Sequence, residues 1–258
     1  MSDERTSADV SLETLRLLWR AELDEAASGG GPGRPRMLSV DGVVESAVAL
    51  ADASGLDALT MRSLASGLGV RAMTLYNYVP SRSDLIDLML DSVYAAMPRQ
   101  HLAGGTWQQC VREVADANRL MLIEHSWAAV VSTARPPLGP GQMAKYEHEL
   151  QAFSGSGLTD LQVDDSLICL LSFVQANVRD HWTSARAREQ DGRNDAEWWT
   201  AVQPLLGRFL DPAAYPHAAR IGAAAGTARG SAYDPDHAYR FGRDRIIEGI
   251  ARLSQTAA

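Results

Sequence analysis

The chain has 258 residues, 46% of them hydrophobic, and a formal net charge of −8. This length suits one large or two modest domains, and no apolar run approaches the roughly 20 residues that span a bilayer. The acidic balance argues against a general nucleic-acid coat protein, although a local basic patch can still read DNA. The two cysteines stand far apart and the polar N-terminus is unlike a secretory signal, so we expect a cytoplasmic protein with reduced thiols and no membrane partner.

Residues 1–36 are predicted to form an N-terminal extension. Between Ser11 and Ala26, apolar residues recur at helical spacing, which predicts an amphipathic helix. This helix either docks on the body of the protein or lies over DNA, and its acidity favours docking. The apolar positions are Leu12, Leu15, Trp19 and Leu23.

A linker rich in Gly and Pro, residues 28–36, follows this helix and carries Arg34 and Arg36 around a proline. An extended arm of this kind can lie in a narrow minor groove, where the negative potential is enhanced. A solubilising linker is the alternative. Its place just before a predicted DNA-binding unit leaves both interpretations open.

The stretch from Thr60 to Ser83 contains three arginines and no acidic residue, and it predicts two short helices joined at a corner. Thr60 can cap the first helix, and Gly69 supplies the positive φ that the corner needs. Ala65 lies four positions before this glycine and Leu75 six after it. A small residue, a corner glycine and an apolar plug at these intervals are typical of a helix-turn-helix.

The rest of the chain also has helical periodicity, and no stretch alternates polar and apolar residues as a strand would, so the predicted fold class is all-α. Gly55 is expected to end the helix from Ser39 as a left-handed cap, and Ser81 to begin a fourth helix that stops at Pro98. The helix near 161–182 is apolar on nearly all sides, which indicates burial and a subunit interface. Further helices are predicted at 106–125, 143–153, 194–209 and 235–253, with a loop at 222–231.

The segment AVALADASGLDALTMRSLASGLGVRAMTLYNYVPSRSDLIDLML closely resembles the DNA-binding domain of the TetR family of bacterial repressors. The resemblance covers residues 37–97, about a quarter of the chain, and the remainder is similar to the tetracycline-repressor-like branch only in being helical. It implies an all-α homodimer with a three-helix DNA-binding head, a linker helix, and an effector-binding and dimerisation domain over residues 98–258.

Carried over position by position, the resemblance implies a set of residues that face DNA. Arg62 can reach a guanine edge or a phosphate, and hydroxyl groups suit phosphate oxygens. Ala72 occupies a position where some relatives have a polar side chain that contacts a base. Sequence recognition is therefore expected to depend on Arg62 and on DNA shape. The predicted DNA-facing residues are Thr60, Arg62, Ala72, Met73, Thr74, Tyr76, Asn77, Tyr78 and Arg82.

The apolar helix near 161–182 also contains polar residues, among them Gln175, Asn177 and His181. These side chains either satisfy one another in a core or interface, or they orient a mostly apolar effector in a pocket. The candidate pocket residues are Trp127, Met143, Tyr146, Phe173, Asn177, His181, Trp182 and Trp198, most of which could equally be plain core.

No catalytic, nucleotide-binding or metal-ligand spacing is present, so neither an enzyme nor a cofactor or metal site is predicted. The acidic and histidine groups at 147–149 and 234–237 are interpreted as solvated charges. The predicted function is a ligand-responsive repressor that a small-molecule effector releases from a pseudo-palindromic operator. The alternative is a small-molecule-binding or scaffold protein whose helix-turn-helix does not bind DNA.

Overall fold

A computed structural model describes residues 7–27, 38–99, 105–131 and 136–256. The predicted all-α class is confirmed, because these residues form helices and no strand. Arg34 and Arg36 of the proposed minor-groove arm lie outside the described residues.

Two 3-10 segments accompany the α-helices of the described ranges, at Leu56–Ala58 and Ser126–Val130. The α-helices are α1 Ser7–Leu18, α2 Arg20–Ala27, α3 Val40–Ser54, α4 Met61–Gly67, α5 Ala72–Leu75, α6 Arg82–Ala96, α7 Trp107–Glu124, α8 Pro140–Gln151, α9 Asp160–Asp191, α10 Asp195–Phe209, α11 Pro216–Arg229 and α12 Pro235–Thr256.

Helices α3, α4 and α5 form a small head whose buried apolar residues are continuous with the core of the body. The Thr60 hydroxyl accepts a hydrogen bond from the Ser63 N–H and begins α4 as the sequence predicts. Gly69 has φ of 66°, and Leu75 is fully buried as the plug between the two helices. Helix α5 is shorter than predicted, because after Leu75 the chain continues as hydrogen-bonded turns to Tyr78 and not as regular helix.

Helix α6 joins this head to the body. The Ser81 hydroxyl caps it by accepting from the Asp84 N–H, as predicted. Its inner face is buried against α3 on one side and α8 on the other. Helices α7, α8, α9 and α12 complete the body, in which α9 packs on α7 and α12.

Three sequence predictions about helix ends are wrong. Residues 222–231 are not a loop, because most of them continue α11 to Arg229, where Gly230 ends the helix with φ of 66°. The long helix does not stop at 182, and polar residues extend α9 to Asp191. Gly55 has a positive φ of 79° but an extended ψ of 165°, so it is a glycine corner and not a left-handed cap.

Helix α9 is not buried on all sides within one chain. Its residues Leu170 and Val174 are fully buried, whereas Leu161 and Ile168 are 70% and 57% exposed. The hairpin of α10 and α11 is also rich in exposed apolar side chains, and Phe209 is 83% exposed. In the described ranges no helix is long and apolar enough to cross a membrane.

Candidate DNA interface and ligand pocket

The exposed surface of the head is formed by the start of α4 and by α5 with the turns that follow it. Met73 is 75% exposed and Tyr76 is 44% exposed, and Arg62 and Asn77 are also exposed. Since Leu75 points into the core, its neighbours on the other side of the helix face outward. The surface therefore offers cationic, hydroxyl, amide and apolar groups within a segment without acidic residues.

The remaining predicted DNA-facing residues have structural roles as well. Ala72, Thr74 and Tyr78 are half-buried, and the Ala72 and Tyr78 side chains pack against the core of the head. Thr60 is exposed, but its hydroxyl is engaged in the cap of α4.

Arg82 differs most from its predicted role. Its Nε donates to the Leu59 carbonyl oxygen at 2.7 Å, and one of its terminal nitrogens donates to the Leu56 carbonyl oxygen at 2.7 Å. Both acceptors belong to the connection between α3 and α4. The guanidinium thus fastens the first turn of α6 to the head.

A cavity of about 310 Å³ lies in the body between α6, α7, α8 and α9. Most of its wall is apolar, and several buried polar groups project into it. The lining residues include Tyr94, Asn118, Met121, Leu122, Ala128, Gln142, Lys145, Tyr146, Glu149, Leu167, Ile168, Leu171, Ser172, Val174 and Gln175.

A buried ion pair stands at the polar end of this cavity. Lys145 Nζ lies 2.6 Å from Glu149 Oε1, and both side chains are less than a tenth exposed. The Asn118 Nδ2 donates to the same oxygen at 2.6 Å and to the Val114 carbonyl oxygen at 3.0 Å. The interpretation of Glu149 as a solvated charge is therefore wrong. The signal in the sequence that could have found the pair is the i, i+4 spacing of Lys145 and Glu149 on one helix.

Tyr94 places α6, the helix that joins the head to the body, in contact with this polar group. The Lys145 ammonium lies 5.1 Å from the centre of the Tyr94 ring, a cation–π contact. Burial, and then the charges of Glu149 and Asp91, raise the pKa of Tyr94 to about 12. The phenol is therefore neutral at physiological pH and can donate a hydrogen bond to a ligand.

Of the eight predicted pocket residues, Tyr146 lines this cavity, and its hydroxyl donates to Asp164 at 2.6 Å. Asn177 is buried; its amide donates a hydrogen bond to the Pro235 carbonyl oxygen and accepts one from Arg119. Its polar atoms are therefore used within the core. Outside this cavity's lining lie Trp127, Met143, Phe173, Asn177, His181, Trp182 and Trp198.

Trp127 instead connects the body to the head. Its indole N–H donates to Asp52 of α3 at 2.8 Å, and His125 Nδ1 lies 2.9 Å from the same carboxylate oxygen. The 3-10 segment that holds Trp127 also reaches the cavity, because Gln175 Nε2 donates to the Ala129 carbonyl oxygen at 3.2 Å.

A larger cavity of about 750 Å³ runs along α6 and another face of α7. Its wall includes Leu120, which is 65% exposed, and the acidic side chains of Glu113 and Glu124. The smaller cavity has the stronger features of a ligand site, since its polar groups are buried and converge.

Comparison with known proteins identifies the family. The domain described as "Tetracyclin repressor-like, C-terminal domain" matches residues 100–253. The HTH-type transcriptional repressor DrrR1 of Streptomyces coeruleorubidus is 34% identical over 251 residues, which are 96% of this chain and 87% of that protein. The class E tetracycline repressor of Escherichia coli is 28% identical over 162 residues, which are 62% of this chain and 72% of that protein.

Among solved structures, the TetR family protein ActR of Streptomyces coelicolor, in complex with actinorhodin, superposes with a TM-score of 0.72. It is 30% identical and covers 86% of this chain and 99% of its own. The two curated relatives are named as repressors and not as enzymes. Together with the head and the cavity, these matches show that the chain belongs to the TetR family of ligand-responsive, DNA-binding transcriptional regulators.

Proposed function

We propose that the protein is a repressor that binds a pseudo-palindromic operator as a homodimer and that a small molecule in the 310 Å³ cavity releases it. In the proposed organisation, residues 37–97 form the DNA-binding domain, which comprises the head and α6, residues 98–258 form the effector and dimerisation domain, and residues 1–36 form an added extension. Cytoplasmic localisation, where operator DNA is accessible, belongs to the same proposal.

The observation that carries this proposal is that one helix serves both sites. Helix α6 begins in the head, where Arg82 bonds to Leu56 and Leu59, and reaches the cavity at Tyr94. The two positions are about 18 Å apart at 1.5 Å per residue. A ligand that displaces Tyr94 therefore acts on a rigid element whose other end is fixed to the DNA-binding surface.

Release follows from the geometry that a dimeric helix-turn-helix requires. Two recognition helices read half-sites about 34–36 Å apart along the DNA. An effector that prefers a conformation with another spacing lowers operator affinity, and it can do so only by its difference in affinity for the two conformations.

Arg62→Ala should weaken operator binding by about 1–3 kcal/mol for each half-site, because a bidentate contact to a base edge contributes that much. Tyr76→Ala should also weaken binding, through loss of a phosphate contact. The measurement is a gel shift with DNA from upstream of the protein's own gene, repeated over a salt series. Wild-type affinity should fall steeply as salt rises.

Arg186→Ala is the matched control, because this arginine is exposed on α9 in the body and its loss removes the same charge. It should leave operator affinity unchanged. Normal binding by both Arg62→Ala and Tyr76→Ala would contradict the assigned DNA surface. Failure of the wild-type protein to bind DNA, or binding without salt dependence, would favour the scaffold function.

The chemistry of the cavity indicates a mostly apolar, uncharged effector with a small number of hydrogen-bonding groups. Lys145 and Glu149 neutralise each other, so an additional buried charge would have no counter-charge and would be costly to desolvate. The neutral Tyr94 phenol and the Gln175 amide provide the polar contacts. ActR was solved with actinorhodin bound, which gives that compound as a first compound to assay.

Ser172→Trp should abolish the effect of any compound that acts through this cavity, because the indole would occupy space next to Ser172 on its wall. The measurement is a screen of apolar aromatic compounds for release of operator DNA by the wild-type protein, followed by titration of the variant. Gln151→Trp, at an exposed position of α8, is the control and should respond as wild type. An unchanged response of Ser172→Trp would place the effector elsewhere.

A further inference from the structure

The N-terminal extension docks on the protein, as its acidity favoured, and it does so across the junction of head and body. It is two helices instead of one, with the break at Trp19. Leu18 is 4% exposed and belongs to the apolar core, and α1 packs along α6. The Thr14 hydroxyl donates to Asp84 Oδ1 at 2.5 Å, at the first turn of α6.

Two adjacent residues of this extension contact different parts of the molecule. The Trp19 indole N–H donates to the Leu138 carbonyl oxygen at 2.9 Å, just before α8 of the body. Arg20 forms an ion pair with Asp41 in the first turn of α3, which belongs to the head. Through these two adjacent residues, the extension links the segment just before α8, which lines the cavity, to α3, the first helix of the head.

The same region is where the body meets α6. Asp91 of α6 accepts hydrogen bonds from the N–H groups of Gly141 at 3.2 Å and Gln142 at 2.8 Å, and thereby caps α8. Burial raises the pKa of the Asp91 carboxyl, whereas the charge of Arg20 opposes this rise. The extension thus covers the junction of α6 and α8 and adds a connection between head and body to those made by α6 and by the Trp127–Asp52 contact.

We propose that Trp19 and Arg20 are positioning residues that fix the angle between head and body and thereby restrict the half-site spacing that the dimer reads. This inference rests on the proposed DNA-binding function. The Asp41 side chain is 77% exposed, and such ion pairs contribute little to stability. Burial of Leu18 holds the extension in place, so loss of the pair should leave the stability of the fold unchanged and appear as a change in the orientation of the head.

The first test measures the angle directly. Spin labels are placed at Glu45→Cys on α3 and Gln151→Cys on α8, both exposed, in a background without Cys110 and Cys169. Labelled subunits are diluted with unlabelled protein, so that double electron–electron resonance measures the distance between the two labels of one subunit. The double variant Trp19→Phe/Arg20→Gln should broaden the distance distribution at least twofold, whereas Arg16→Gln, an exposed arginine of α1, should not.

The second test measures the consequence for DNA. Duplexes selected in vitro by the wild-type protein are shortened or lengthened by one base pair between the half-sites. Wild-type affinity should fall at least tenfold and that of the double variant less than threefold. The variant Trp19→Phe/Arg20→Lys, which keeps the positive charge at position 20, should recover most of the wild-type selectivity for half-site spacing.

An unchanged distance distribution, or a broadened one with wild-type spacing selectivity, would overturn the positioning role. If the wild-type protein selects no duplex at all, the proposed DNA-binding function fails, and the distance measurement still decides whether these two residues hold the head.

Discussion

Glu149→Leu should destabilise the protein by about 3–5 kcal/mol, because it leaves the Lys145 ammonium buried without its counter-charge. The Lys145 side chain is 8% exposed, so it cannot regain water without disrupting the packing of α8 against α6. Urea denaturation at a fixed protein concentration measures the change. Operator release by an effector should be lost as well, since the ion pair forms the polar end of the cavity.

Two control variants distinguish the loss of the Glu149 charge from the change in the shape of the side chain. Glu147→Leu is the same substitution two residues earlier on the exposed face of α8 and should cost no more than about 0.5 kcal/mol. The double variant Lys145→Met/Glu149→Leu should recover most of the lost stability, since a buried ion pair is often replaceable by apolar residues. Asn118 keeps the Val114 carbonyl as a partner. Wild-type stability of Glu149→Leu alone would contradict the burial of the pair.

Gly141→Ala should be strongly destabilising, by about 1–3 kcal/mol or more, because the site has no room for a methyl group. A Cβ at this position would lie 2.1 Å from the Asp91 carbonyl oxygen and 2.9 Å from the Ala95 nitrogen, both backbone atoms of α6. Backbone atoms cannot move aside as a flexible side chain can. Helix α8 must therefore shift away from α6, with loss of the Asp91 cap on its first turn.

Gly222→Ala provides the comparison. This glycine lies inside α11, and a Cβ there meets no atom within 4 Å. Because alanine is the better helix former, the variant should be more stable by about 0.5–1 kcal/mol. Thermal or urea unfolding of the two alanine variants, made in parallel, measures the contrast. Equal stability of the two would show that α6 and α8 do not pack closely at Gly141.

The local signals at helix ends explain why much of the fold is predictable from the sequence. Thr60 forms the predicted cap of α4, and Gly69 makes the predicted corner of the helix-turn-helix. Each of these features depends on a few neighbouring residues, so no knowledge of the tertiary structure is needed to find it.

The prediction fails where a residue's role depends on distant contacts. The predicted loop at 222–231 contains Gly226, yet Gly226 is a helix residue whose missing side chain makes room for Trp199, to which a Cβ would come within 2.7 Å. Glu149 follows two polar residues and resembles a solvated charge, but packing of α8 on α6 and α9 buries it, and Asn118 of α7 donates to it. The aromatic residues chosen for the pocket are mostly core, and the polar groups that define the cavity come from four different helices.

Homodimer formation through the exposed apolar residues of α9 and of the α10–α11 hairpin, as proposed, would tie the stability of the fold to the amount of protein present. In the proposed homodimer, a subunit that covers Ile168 and Phe209 only on association would gain stability by mass action. Each tenfold fall in subunit concentration then removes about 1.4 kcal/mol per dimer. A regulator built in this way is most easily unfolded and degraded when few copies remain, so its abundance in the cell influences its own lifetime.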